Sequence, residues 1–425
     1  MNSDWMLIGF VGTTKYYEGR YFFGQKNREG RFGSLIFGEF LFEEWGEGSV
    51  VLAFTPESYD MHFQTLKEIF DPLPGLRFDW LVYTPDDLPK LFEDIFRILE
   101  KQGPKRLFFD ITFAYRSVPF CIFPEIVFVK RHLPSISDLE VFYARQLEPS
   151  GDPRMNSYRF EALTSPIEIL DWDNATREFL DHGNGRFFAE KLMANYQTVM
   201  AQVPDKEKRK YSPWKLVANK FGEFSQAFEE GDFVGVGLVA NALEKMLQGE
   251  SFQASLGALN FGWVTRALVE QILPSLQKVA IDARRKEEVP LDRKELARQL
   301  QLLRWYQEIQ NIPNMLQGLR EFMVNLVLFQ NQEGNWLDLE TRGKAEEKWN
   351  GHLKESEEKR IPLPDNSSLR LWDSARSLRN FISHCGLKRE NRPGVDLSFL
   401  HSFLDREIDA WLNGAAHPFE SWEEV

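Results

Sequence analysis

The chain has 425 residues, 43% hydrophobic and 27% charged, with 36 Phe and 12 Trp; two or three domains with sizeable aromatic cores are expected, and no run approaches the roughly 18 apolar residues of a membrane span. A formal net charge of −13 argues against stable DNA binding, which needs a broad basic face, but leaves room for a small anion or a short RNA held by local cations. Two cysteines, Cys121 and Cys385, are too few for a disulfide framework or a Cys-rich zinc site, and no metal-ligand cluster stands out.

The opening "MNSDWMLIGFVG" carries an acid and no basic stretch, so it reads as an early strand rather than a secretory leader, and cytoplasm is the expected compartment. Apolar runs at Trp5–Gly12, Ser49–Pro56, Arg77–Pro85, Lys105–Phe113 and Asp138–Arg145 read as strands covered on both faces, as in a parallel sheet. Between them, "SYDMHFQTLKEIF" and "DDLPKLFEDIFRILEKQG" space apolar residues three and four apart, with acids for a first turn and Gly103 as a stop in the second. This rhythm predicts an N-terminal Rossmann-like α/β domain over 1–172, with "PIEILDWDN" as its last piece. From 173 to 425 the pattern is helical, ending in "SLRLWDSARSLRNFISHC" and "DLSFLHSFLDREIDAWLNG". A charged, weakly patterned stretch near 331–367 reads as an exposed insertion.

No G-x-G-x-x-G follows the first strand and no Walker lysine loop is present, so an ordinary dinucleotide or NTP site is not expected. The first strand runs instead into "GTTKYYEGRYFF". Gly12 permits a tight turn, Thr13 and Thr14 offer hydroxyls and amides, Lys15 and Arg20 add charge, and Tyr16, Tyr17 and Tyr21 offer rings to stack on bases. The plainer alternative is a loop and hairpin with surface tyrosines. After the fourth strand, "FFDITFAYRSVPF" gathers Asp110, Thr112 and Arg116 just before a helix opening at Ser117 and Pro119. Strand carboxyl ends and helix N-termini favour anions, so Arg116 suits a phosphate or a base; a structural Asp110–Arg116 ion pair is the alternative.

Two segments share an Arg-x-x-x-x-His spacing: Arg177–His182 in "REFLDH" and Arg379–His384 in "RNFISH". The first sits near a helix end, where an exposed histidine suits the dipole. The second lies on an apolar-patterned helix, with Leu378, Phe381 and Ile382 directed inward, Asn380 on the face of His384, and Gly386 as a stop. Histidine handles protons near neutral pH and arginine stabilises phosphorane charge, which is the chemistry of RNA cleavage by the ribose 2′-hydroxyl; a polar helix end is the plainer reading.

Taken together, Gly-Thr and tyrosines after the first strand, Asp-x-Thr-x-x-x-Arg-x-x-Pro after the fourth, and "RNFISHCG" near the end resemble the CARF–HEPN ribonucleases of type III CRISPR systems. The resemblance spans nearly the whole chain, and "WYQEIQNIPNMLQGLREF" is similar to the family's helix before the insertion. Phe113 and Ala114 stand where the family usually has His-Gly. The resemblance implies a CARF sensor over 1–172 and a HEPN nuclease over 173–425. It implies a homodimer or a higher oligomer that binds a cyclic oligoadenylate, with the tetramer as the expected ring, and cuts single-stranded RNA without a metal or other cofactor. Cleavage would leave a 2′,3′-cyclic phosphate and a 5′-hydroxyl. Catalysis would fall to Arg379, Asn380 and His384. Ligand contacts would fall to Gly12, Thr13, Thr14, Lys15, Asp110, Thr112 and Arg116.

Three rivals stand beside this reading. A CARF-type transcription regulator predicts a basic recognition helix, which the acidic second half does not offer. A non-catalytic adaptor is disfavoured by having both Arg379 and His384. A ring nuclease would cut its own cyclic ligand.

Overall fold

The computed structural model describes residues 4–70, 75–114, 117–147, 156–163, 165–259, 262–360, 362, 368–383, 402 and 406. The chain divides into two compact units, Met1–Leu170 and Asp171–Val425.

The first unit is built on eight strands: β1 (Trp5–Val11), β2 (Gly19–Phe23), β3 (Lys26–Gly30), β4 (Gly48–Phe54), β5 (Leu76–Val82), β6 (Arg106–Asp110), β7 (Asp138–Gln146) and β8 (Ser157–Ala162). Its helices are α1 (Gly33–Trp45), α2 (Pro56–Phe70), α3 (Leu88–Gln102), α4 (Val118–His132) and the start of α5 (Ser165–His182), which contains the boundary. The sheet order is β3-β2-β8-β7-β6-β1-β4-β5. Strands β5, β4, β1, β6 and β7 run parallel, whereas β8 is antiparallel to β7 and β3 to β2. The five strands read from the apolar runs are thus parallel as expected, and β2, β3 and β8 make the whole sheet mixed.

Alternation along β1 explains the two-sided core. Trp5, Leu7 and Val11 join a cluster with Phe37 and Phe40 of α1 and Leu66 and Phe70 of α2. Met6, Ile8 and Phe10 join the opposite cluster with Leu91, Ile95 and Leu99 of α3 and Val118, Ile122 and Ile126 of α4. Both β1 and β4 are buried along their whole length, as continuous apolar runs require. β5 differs: it is the edge strand and leaves Arg77, Asp79, Trp80 and Val82 exposed, so it is not covered on both faces. The α3 boundaries follow the chemistry expected of them. The Asp87 side chain accepts from the Lys90 amide at 3.2 Å, and Gly103 takes the left-handed conformation at φ 53°.

"PIEILDWDN" is not a last strand; it opens α5. Its Ile167, Trp172 and Ala175 are all buried, a spacing that serves one helical face rather than alternating sides.

The second unit is helical: the rest of α5, α6 (Arg186–Gln202), α7 (Asp205–Lys208), α8 (Ser212–Glu230), α9 (Phe233–Gln248), α10 (Glu250–Ser255), α11 (Gly262–Val279), α12 (Arg293–Glu308), α13 (Ile312–Gln330), α14 (Leu339–Glu358) and α15 (Ser368–Ser383). Side-chain caps start four of them: Asp232 for α9, Asp292 for α12, Asn311 for α13 and Asp338 for α14. Aromatic packing of Phe179, Phe221, Phe224, Phe228, Trp305 and Tyr306 ties α5, α8 and α12 together. "DLSFLHSFLDREIDAWLNG" lies outside the described residues save for His401's neighbour Ser402 and for Arg406.

The stretch near 331–367 is not simply an exposed insertion. Most of it is α14, whose Ala345, Trp349 and Leu353 are buried four residues apart, with Trp336 buried ahead of them. Three apolar residues on a strongly charged helix hide this stripe from a composition-based reading.

Candidate functional site

Strand order in the first unit reverses beside β1. From β1 the chain builds outward through β4 to β5, then returns to β6 on the other side of β1 and continues to β7. In open α/β sheets such a reversal leaves a crevice outside the strand carboxyl ends. The segment Gly12–Lys15 follows β1, and the segment from Thr112 follows β6, so both predicted ligand segments leave adjacent strands at that crevice.

The first loop is tied down from beneath. The Gly12 amide donates to the Tyr16 hydroxyl at 2.9 Å. Arg31 Nε donates to the Tyr16 carbonyl at 3.0 Å, and His62 Nε2 lies 3.1 Å from the Thr14 carbonyl. His62 is buried, and that burial lowers its pKa, opposed by the bond to Thr14 and aided by the nearby Arg31 charge. A neutral ring with hydrogen on Nε2 therefore donates to Thr14. Thr13, Thr14 and Lys15 are left exposed above this anchored turn. A Cβ on Gly12 would sit 3.2 Å from the Phe113 carbonyl, so glycine permits the two loops to approach.

Asp110 is 1% exposed and shapes the second loop rather than facing solvent. One carboxylate oxygen accepts from Ser34 Oγ of α1 at 2.6 Å, and the other accepts from the Thr112 amide at 3.0 Å and from the Thr112 hydroxyl. Burial raises its pKa, and these hydrogen bonds oppose the rise. Thr112 Oγ1 also accepts from the Ala144 amide at 2.8 Å, which fastens the loop to β7. Gly9 makes room for this network, since a Cβ there would lie 2.7 Å from Ser34 Oγ. Arg116, and with it the Asp110–Arg116 alternative, lies outside the described residues.

Two of the three tyrosines expected to stack on bases are occupied within the protein. Tyr16 is buried against Phe32, His62 and Phe113, and Tyr21 stacks on Tyr158 and Phe160. Burial drives both hydroxyl pKa values upward. Tyr17 is exposed, with Lys15 Nζ 5.3 Å from its ring centroid. Sequence reasoning missed Arg31, Ser34 and His62. His62 had a readable signal: Ser58, His62, Leu66 and Phe70 are four apart on α2 and all buried, so the histidine lies on the core stripe.

In the second unit, Arg177 spends its guanidinium on Asp173 at 2.9 Å, and His182 is exposed at the end of α5. On α15, Arg379 Nη1 donates to Asn380 Oδ1 at 3.2 Å, and both residues are half-buried. His384 and Gly386 lie outside the described residues, as does the side chain of Phe381; Leu378 is buried as expected.

The helix that bears Arg379 is held by α13 and α14. Trp372 of α15 stacks on Trp349 of α14 with centroids 5.6 Å apart, and its Nε1 donates to Asn350 Oδ1 at 3.2 Å. Arg320 of α13 lies over the Trp372 ring at 5.9 Å and pairs with Glu346 of α14 at 2.5 Å. Behind it, Arg342 Nη1 donates to Asn325 Oδ1 at 2.6 Å, and Asn325 Nδ2 donates to Gln299 Oε1 at 2.9 Å. Gln299 then donates to Glu295, which forms a buried two-pronged pair with Arg298. Every member has a partner, which is the condition under which a buried polar chain orders a core.

Among the described residues, no group of three or more His, Cys, Asp or Glu is arranged to hold a metal, and no helix is long and apolar enough to cross a membrane. Compared with known families and curated proteins, the chain matches no family model and no curated protein.

Proposed function

We propose that the protein is a metal-independent endoribonuclease switched on by a cyclic oligoadenylate, in the manner of the CARF–HEPN enzymes it resembles. The observation that carries the reading is a conjunction within one chain. An exposed Thr13-Thr14-Lys15 turn sits beside the strand-order reversal of an α/β unit, and Arg379 and Asn380 lie on a packed helix, with His384 following them in the sequence. In this reading Thr13, Thr14, Lys15 and Arg116 contact the ring phosphates and bases, and Gly12, Asp110 and Thr112 shape the loops that present them. A two-fold cyclic tetra-adenylate would engage one set from each subunit of a homodimer. Activation follows only if the ring binds one arrangement of the dimer better than the other.

For cleavage, His384 takes the proton from the ribose 2′-hydroxyl, whose oxygen attacks the adjacent phosphorus. The bond to the 5′-oxygen breaks, and that oxygen gains a proton, from the second His384 of the dimer. Arg379 stabilises the charge of the phosphorane, and Asn380 orients it. The products are a 2′,3′-cyclic phosphate and a 5′-hydroxyl. The test is cleavage of labelled single-stranded RNA by wild type and His384→Ala, each with cyclic tetra-adenylate. Undiminished cleavage by the variant would remove His384 from the mechanism.

A further inference from the structure

The nuclease face of α15 carries another guanidinium. Arg376 precedes Arg379 by three residues and Asn380 by four, so the three side chains share one side of the helix. The surrounding arginines are fully engaged: Arg342 is 17% exposed with close bonds to Asn325 and Glu321, and Arg320 is 20% exposed with Glu321 and Glu346. Arg376 is different. Its side chain is 36% exposed, and both contacts it makes among the described residues are long. Nη1 is 3.4 Å from Asn350 Oδ1 and Nη2 is 3.4 Å from Asp373 Oδ1, whereas a close guanidinium–carboxylate pair sits at about 2.7–2.9 Å. Asn350 is already an acceptor for Trp372 Nε1, so it aims the Arg376 guanidinium without neutralising it. Asp373, 40% exposed, also accepts from Ser377 Oγ at 3.4 Å and is shared between two donors.

We propose that Arg376 is a substrate-positioning residue that holds the phosphate next to the scissile one on single-stranded RNA. The inference rests on the reading of α15 as the nuclease helix. The helix rises about 4.5 Å from position 376 to position 379, and the reach of two arginine side chains covers the remainder of one nucleotide step. A phosphate offers two oxygens to the planar guanidinium edge, so Arg376 exchanges two long contacts for two short, charge-assisted ones. Asn350 keeps the side chain in place before RNA arrives, which gives α14 a part in substrate binding as well as in holding α15.

The experiment uses the full-length protein carrying His384→Ala, so that RNA binds without being cut. Anisotropy of a fluorescein-labelled single-stranded 12-mer is read between 50 and 300 mM KCl, with cyclic tetra-adenylate present. Arg376→Gln removes the charge and shortens the side chain while keeping it polar; Arg376→Lys restores the charge on a long side chain. The expected result is a Kd about tenfold weaker for Arg376→Gln at fixed salt. The slope of log affinity against log salt should become shallower by about 0.7, one phosphate contact on a single strand. Arg376→Lys should recover the slope, and all variants should share one thermal midpoint. An unchanged slope in Arg376→Gln, with RNA bound by the parent, overturns this inference alone. A parent that binds no RNA at any salt overturns the nuclease reading and this inference with it.

Discussion

Glu125 of α4 is half-buried, with its Oε1 shielded from solvent and without a hydrogen-bond partner among the described residues. Burial pushes its pKa from 4.5 up to about 7. Between those two values the folded chain binds more proton than the unfolded chain, so stability falls as pH rises through that window and stays reduced above it. The full displacement corresponds to about 3 kcal/mol, at 1.36 kcal/mol per pH unit. Partial exposure screens the charge, and about 1–2 kcal/mol is the expected cost at pH 8. Glu125→Gln removes the titration. For a unit of this size 1 kcal/mol moves the midpoint by about 2–4 °C, so the variant should melt about 3–6 °C above wild type at pH 8. The gap should shrink steadily towards pH 5, where wild-type Glu125 is protonated. Thermal melts followed by circular dichroism from pH 5 to pH 8 measure it. A gap that is independent of pH, or a variant less stable at pH 8, would refute the half-buried placement of Glu125 with its Oε1 shielded and unpaired.

Other expectations follow from the loops and from α14. His62→Ala removes the donor that holds the Thr14 carbonyl and one ring packed on Tyr16; cyclic tetra-adenylate should bind about tenfold more weakly, since one oriented hydrogen bond is worth about 1 kcal/mol or slightly more. Isothermal titration checks this, and unchanged affinity would separate the Thr14 turn from ligand binding. Trp349→Ala opens a cavity beneath Trp372 and removes the bond from the Trp349 Nε1 to the Met323 carbonyl at 3.1 Å. Urea unfolding should show a loss of about 3–5 kcal/mol, whereas an exposed insertion would tolerate the change within about 0.5 kcal/mol.

Continuous apolar runs made β1 and β4 readable because both faces of those strands are covered. The same logic overreached at β5, an edge strand that leaves four of its seven residues exposed. β3 is polar and β8 is short, and β2 pairs with β8 from far along the chain, so local pattern carries little of the mixed topology. At the candidate site, the glycine, threonines and lysine after β1 were legible from the strand-to-loop break. What a sequence does not display is which polar residues are consumed internally. Asp110, Thr112, Tyr16 and Tyr21 have the chemistry of ligand contacts, yet their partners Ser34, Ala144, Phe113 and Tyr158 come from other elements. The helix α14 was hidden for a similar reason: its buried stripe is narrow, and two of its charges, Arg342 and Glu346, are consumed by ion pairs with α13.

The most direct test of the account is cleavage of single-stranded RNA by the purified full-length protein, with and without cyclic tetra-adenylate, in wild type and His384→Ala. The account predicts cleavage only with the cyclic ligand, products ending in 2′,3′-cyclic phosphate and 5′-hydroxyl, and loss of cleavage in the variant. An RNA left intact across a panel of cyclic oligoadenylates, or cut equally by His384→Ala, would contradict it.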